Sequence, residues 1–311
     1  MRLVFAGTPE PAAVALERLI ASEHVVEAVI TRPDARKGRG RSLHPSPVKE
    51  VALNSGIEVY TPTTLKENGE IRAALREISP QAIPVVAYGN LIPADMLDIP
   101  EHGWINLHFS LLPRWRGAAP VQAAIAAGDV DTGATTFRID EGLDTGPILG
   151  HIHAEIRPRD TADDLLTRLA TSGAELLVET MTGLERGEST PVAQPPEGTY
   201  AGKITSADAR VSWESEAAAI DRQIRAHTPA PGAWTTLCGE RIKLGPVEPC
   251  ERAGLSPGQV SVGKGEVVVG TRGGAVRLGT IQPPGKKMMP APDWARGIHG
   301  ANGNGKELVF E

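Results

Sequence analysis

Apolar runs alternate with stretches of helical spacing along the first half of the chain. Arg2-Leu-Val-Phe-Ala6 is compact and apolar and predicts a buried strand. Thr8 suits a helix cap, Pro9 suits the first helical position, and Ala13, Leu16, Leu19 and Ile20 follow at helical spacing. Runs at 25–31, 57–60 and 82–87 predict further strands, and 48–54 and 68–78 predict helices. Pro84 interrupts the 82–87 run. It removes a ladder donor, so an edge of pairing or a local distortion is expected near that strand's start. Strands at 132–140 and 147–156 follow a helix at 120–127. A long amphipathic helix then starts at Asp160-Thr161 and buries Leu165, Leu166, Leu169, Leu176, Leu177, Met181 and Leu184. Strands alternating with helices predict an α/β unit, a mostly parallel sheet covered on both faces.

The pattern changes after Gly187. Residues 187–202 are rich in Gly, Pro, Ser and Thr and have no period, which reads as a linker. One helix fits 215–227. Short strands separated by Gly and Pro follow at 234–238, 241–244, 259–262, 266–270 and 275–282, a spacing that predicts a small β-barrel. The expected division is 1–187, a linker 188–206, and 207–311.

A chain of 311 residues with 41% apolar and 23% charged residues fits a two-domain globular protein. No run approaches a membrane span, the opening apolar stretch is too short for a signal peptide, and Cys238 and Cys250 form no metal or disulfide spacing. A cytoplasmic protein without a metal is expected. The net charge of −6 argues mildly against nucleic acid, but its distribution is uneven. Residues 1–203 hold 19 Lys+Arg against 27 Asp+Glu, and the remainder is slightly basic. One segment is sharply basic: Arg32, Arg36, Lys37, Arg39, Arg41 and Lys49, opposed before Glu50 only by Asp34. Gly38, Gly40, Pro45 and Pro47 predict an irregular loop there, either a solvated surface or a phosphate-binding patch. The β-turn-α opening carries only Gly7 of a dinucleotide fingerprint, so a tight strand-to-helix turn is expected rather than a nucleotide site.

The candidate chemistry centres on Gly103-Trp-Ile-Asn-Leu-His-Phe-Ser-Leu-Leu-Pro-Arg-Trp-Arg-Gly117. Trp104, Ile105 and Leu107 predict a buried strand, and Asn106 and His108, two residues apart, share one of its faces. Buried polar groups need partners or a function. Open α/β sheets bind ligands at the carboxyl ends of their strands. An amide beside an imidazole there can stabilise a developing oxyanion. Taken singly, His108 also reads as a hydrogen-bonded core histidine and Asp144 as part of an Asp-Thr-Gly turn.

Asn106-x-His108-x-Ser110-Leu-Leu-Pro113 with Gly117, Gly128-Asp129…Thr132-Gly133 and Asp140-Glu-Gly-Leu-Asp-Thr-Gly146 together resemble the signature of the folate-dependent formyltransferases. The resemblance covers essentially the whole chain. It implies an N-terminal Rossmann-like domain and a C-terminal OB-like barrel that binds tRNA. It implies formyl transfer from 10-formyltetrahydrofolate to the amino group of initiator methionyl-tRNA by a monomer. In that reading Asn106 donates to the oxyanion and His108, when protonated, donates a charged hydrogen bond. Asp144 favours the imidazolium and takes the amine's proton. Tyr88, Gly89, Asn90, Leu91 and Ile92, with Ser110, Leu111, Leu112 and Pro113, would hold the folate. Arg36, Lys37, Arg39 and Arg41 would contact tRNA, and Lys286, Lys287 and Arg296 are weaker candidates. Amino-sugar or glycinamide ribonucleotide acceptors, a formyl-donor hydrolase and a non-catalytic tRNA-binding module are the alternatives.

Overall fold

The computed structural model describes residues 1–37, 42–301 and 308–311. These form two compact units. The first comprises Met1–Pro120, Asp131–Glu155 and Leu166–Ala201, and the second Val121–Val130, Ile156–Leu165 and Gly202–Glu311.

In chain order the elements of the first part are β1 (Arg2–Gly7), α1 (Glu10–Ile20), β2 (Val25–Ile30), β3 (Ala35–Lys37), β4 (Ser42–His44), α2 (Pro47–Asn54), β5 (Glu58–Tyr60), α3 (Gly69–Ile78), β6 (Ile83–Val86), α4 (Ala94–Leu97), β7 (Trp104–His108), β8 (Arg116–Gly117), α5 (Pro120–Ala127), β9 (Asp131–Arg138), β10 (Ile148–Glu155), α6 (Ala162–Glu185) and β11 (Tyr200–Ala201). Seven of these strands make one sheet in the order β10-β9-β7-β6-β1-β2-β5. Pairing is parallel from β5 to β7 and antiparallel at β7–β9 and β9–β10. The result is the mostly parallel α/β sheet that the alternating pattern predicts. The central strands are apolar on both faces because helices cover both. Val4, Ala6, Ala28, Ile83 and Trp104 pack with Ile71 and Leu75 of α3. On the other face Leu107 lies against Gly173 of α6, where a Cβ would approach the leucine methyls to 3.1 Å.

Two local expectations change, and of the two alternatives for Pro84 the local distortion is the one found. Thr8 does not cap α1; its hydroxyl donates to the Tyr88 carbonyl at 3.0 Å, tying the first strand-to-helix turn to the loop after β6. Pro84 is not at an edge, since β6 pairs with both β1 and β7. Ile83 donates its amide to Gly103, on the β7 side, so the missing donor of Pro84 falls on the β1 side. There the ladder has a gap: Leu3 bridges Ala82, and regular pairing resumes only at Ala6↔Val85. The basic segment is not irregular throughout. Ala35, Arg36 and Lys37 pair antiparallel with His44, Leu43 and Ser42. Its glycines fall between the strands and its prolines beyond them, so neither breaks the ladder. Arg39 and Arg41 lie outside the described residues.

The second part adds α7 (Ala217–Ala226), β12 (Trp234–Leu237), β13 (Glu240–Leu244), β14 (Val247–Cys250), β15 (Gln259–Gly263), β16 (Glu266–Thr271), β17 (Gly274–Leu278), β18 (Thr280–Gln282), β19 (Met289–Pro290), α8 (Ala291–Ala301) and β20 (Leu308–Val309). The strands form two antiparallel sheets, β12-β13-β18-β19 and β14-β17-β16-β15-β20. Trp213 stacks on Phe310 at 5.6 Å within a core that includes Val267, Val269, Ile281 and Trp294. The sequence pattern missed β14, β19, α8 and β20, and it ran β17 and β18 together as one strand. β14 contains Pro249, which is tolerated because the strand lies at a sheet edge.

Candidate active site

β7 fixes the two central side chains. Gly103, with φ +80°, turns the chain into the strand, and Trp104 anchors it by donating its indole N–H to the Met96 carbonyl at 2.7 Å. Trp104, Ile105 and Leu107 are buried, so the register cannot slip without exposing them. Asn106 and His108 consequently share one face, and both line a cleft of about 610 Å³. Val85, Ile92, Leu97 and Ile139 provide apolar wall, and the loops 87–93 and 139–144 complete the lining. Leu91 and Leu143 also line the cleft yet are 88% and 60% exposed.

Asp144 reaches the same cleft from the loop after β9. Its Oδ2 accepts the Gly117 amide at 2.7 Å and lies 3.7 Å from His108 Nδ1. The structure thus brings Asn106, His108 and Asp144 to one cleft despite their separation in sequence. His108 Nε2 is 2.9 Å from the Trp115 carbonyl. A carbonyl can only accept, so Nε2 carries a proton and Nδ1 is the variable nitrogen. The ring also meets Phe137 edge to face at 6.4 Å. Burial pushes His108 below the ordinary histidine value; the Asp144 charge and the Trp115 carbonyl raise it without overcoming desolvation. Desolvation thus favours the neutral imidazole, with its lone pair on Nδ1. The charged hydrogen bond, which the sequence reading makes conditional on protonation, is disfavoured by this desolvation.

Three residues beside the cleft hold left-handed backbone without being glycine: Ala87 (φ 44°), Trp115 (φ 62°) and Asp144 (φ 54°). Such residues carry strain that their surroundings must hold in place. Trp115 donates its amide to Thr199 Oγ1 at 2.8 Å. Asp144 gives its carbonyl to Gln194 Nε2 at 3.0 Å.

Tyr88, Gly89, Asn90, Leu91 and Ile92 all line the cleft. Asn90 Nδ2 donates to the buried Tyr88 hydroxyl at 3.3 Å, and Arg32, the first basic residue of its segment, donates to the Gly89 carbonyl at 2.9 Å. Desolvation holds the Tyr88 phenol above its ordinary value, hence protonated. Ser110, Leu111, Leu112 and Pro113 are not among the lining residues. Ser110 Oγ donates to the Arg114 carbonyl at 2.6 Å, and Thr135 Oγ1 donates to the Ser110 carbonyl at 2.7 Å while accepting the Leu112 amide at 3.2 Å. A Cβ on Gly133 would meet the Leu111 side chain at 2.7 Å. These bonds and contacts of Ser110, Leu111 and Leu112 build the turn after β7. Of the expected tRNA contacts, Arg36 is exposed on β3; Lys49, at the end of the basic segment, is paired with Asp34 at 2.7 Å.

Residues 1–181 match the formyl transferase family and residues 203–299 match its C-terminal domain, so the chain belongs to the formyl transferases. It is 65% identical to a methionyl-tRNA formyltransferase of Corynebacterium aurimucosum over 96% of this chain and 95% of the relative. An N-formyltransferase of Helicobacter canadensis, solved with folinic acid and dTDP-3-aminofucose, has the same fold at a TM-score of 0.67 and 20% identity, covering 89% of this chain and 97% of that one. HypX of Aquifex aeolicus, solved with tetrahydrofolic acid, matches all of this chain at a TM-score of 0.64 and 18% identity. This chain spans about half (51%) of the length of HypX. No described helix is long and apolar enough to cross a membrane.

Proposed function

We propose that this chain transfers the formyl group of 10-formyltetrahydrofolate to the α-amino group of initiator methionyl-tRNA, giving N-formylmethionyl-tRNA. The observation that carries the reading is the meeting of Asn106, His108 and Asp144 at one cleft in a formyl transferase. The 65% identity to a methionyl-tRNA formyltransferase supports this acceptor over an amino sugar or glycinamide ribonucleotide.

The cleft fits a folate. Its volume of about 610 Å³ suits a ligand of that size, and its apolar walls suit a flat heterocycle. Tyr88 to Ile92 hold the ring. The Asn106 amide donates to the formyl oxygen as it gains negative charge, a contact worth about 10²–10³ in rate. His108 Nδ1 takes the proton that the attacking amine must lose, and the imidazolium so formed is stabilised by the Asp144 carboxylate. The new cation then donates a charged hydrogen bond, and its proton leaves with the departing folate nitrogen as the carbon–nitrogen bond breaks. No nucleophilic side chain is needed.

Arg36, Lys37, Arg39 and Arg41 contact tRNA phosphates. The 1–187 part carries the chemistry, and the antiparallel part, 207–311, is an OB-like tRNA-binding domain. The working form is a cytoplasmic monomer that uses no metal. The test offers 10-formyltetrahydrofolate with methionyl-tRNA, glycinamide ribonucleotide, a nucleotide-linked amino sugar or water as acceptor. Formylation of methionyl-tRNA far above the others is expected; transfer chiefly to another acceptor overturns the reading.

A further inference from the structure

Residues 192–201, in the stretch that composition marks as a linker, are hydrogen-bonded into the first unit. Val192 exchanges amide hydrogen bonds with Ile148, and Tyr200 and Ala201 pair with Arg116 and Gly117. Gln194 is the pivot of this segment. Its Oε1 accepts from Arg116 Nη2 at 2.9 Å and Nε at 3.2 Å. Its Nε2 donates to the carbonyls of Asp144 at 3.0 Å and Gly146 at 2.7 Å. Arg116 is 1% exposed, and its remaining acceptors here are the Pro195 and Pro196 carbonyls. A buried cation needs its hydrogen bonds, so its position is tightly constrained.

We infer that Gln194 is a positioning residue that, with Arg116, fixes Asp144 against His108 and so sets the rate of formyl transfer. Gln194 joins both loops that carry the Asp144 carboxylate's surroundings. On one side it fixes Arg116, whose neighbour Gly117 donates to Asp144 Oδ2. On the other it binds the carbonyls that bracket the turn in which Asp144 holds its left-handed backbone. Released from these bonds, Asp144 relaxes toward ordinary backbone angles and its carboxylate moves away from His108. The rate consequence rests on the reaction proposed above; the geometric claim does not.

Two variants separate the halves of the clasp. Gln194→Met keeps the volume and removes every hydrogen bond. Gln194→Glu keeps an acceptor for Arg116 but loses both donors to the Asp144 loop. Each is measured three ways: His108 titration by NMR with labelled histidine, kcat and KM with methionyl-tRNA and folate, and thermal melting. In both variants the His108 midpoint should fall, because Asp144 raises it in the intact site. kcat should fall about tenfold or more with folate KM little changed, since a misplaced group loses rate rather than binding. A folded variant with an unchanged His108 midpoint overturns the proposal, whatever its melting temperature. If Gln194→Met does not fold, Gln194→Glu alone decides. If the wild-type protein transfers no formyl group, the reaction reading fails, while the His108 titration still decides the clasp.

Discussion

The Gly117 amide holds Asp144 Oδ2 at 2.7 Å, so the carboxylate that faces His108 is fastened to the chain that leaves the His108 strand. Gly117 can do this only as glycine. Its φ is +106°, and a Cβ would stand 2.6 Å from the Ala201 carbonyl oxygen.

Gly117→Ala should therefore damage both stability and rate. The strained backbone and the backbone clash should cost ~2 kcal/mol or more. Chemical denaturation measures the first loss and steady-state kinetics the second. A variant with wild-type stability and turnover would show that the Gly117 turn is not required.

His108→Ala should lower turnover by a factor of about 10² or more while folate binding persists, because the lost group acts on the moving proton and the developing charge. Asn106→Ala combined with Asp144→Ala should be little worse than the more damaging single change, since groups serving one transition state are strongly non-additive. Turnover of the double variant measures this; simple multiplication of the two losses would mean that they act independently.

Asp144→Asn should lower the His108 midpoint further, because it removes the charge that favours the imidazolium. The sign for stability follows. His108 is depressed in the folded chain, so the unfolded chain takes up the proton first as pH falls. Its contribution is intact above about pH 6.5 and is lost below that value, with a slope of at most about 1.4 kcal/mol per pH unit. Denaturation at pH 5, 6 and 7 should show a flatter profile in His108→Gln than in the wild type.

Replacing Arg36, Lys37, Arg39 and Arg41 together by alanine should raise KM for methionyl-tRNA, lower turnover and leave folate affinity unchanged. The salt dependence of KM should also weaken, since fewer counterions are displaced from the RNA. Kinetics at several salt concentrations test this, and unchanged tRNA kinetics would make the β3–β4 hairpin a solvated surface.

What the sequence revealed and what it hid follow from the range of each interaction. Strand β7 was legible because Trp104, Ile105 and Leu107 form an apolar run, and the Asn106–His108 spacing alone placed both on one face. The β3–β4 hairpin was hidden because Gly and Pro counts do not say whether those residues fall inside the strands or beside them. Gln194 was hidden more deeply. Its partners are 48 to 78 residues away, and nothing in a polar, Pro-flanked stretch marks a glutamine as structural. The resting state of His108 was equally illegible, because its protonation depends on burial by residues such as Phe137 and Trp115, which are remote from it or follow it by a turn.

Leu91 and Leu143 leave two large apolar side chains in water on either loop of the cleft. A ligand that covers them removes that surface from hydration, and apolar dehydration carries a negative heat-capacity change. Occupation of this cleft should consequently release more heat as temperature rises, a calorimetric signature written by two side chains that take no part in the proton transfers.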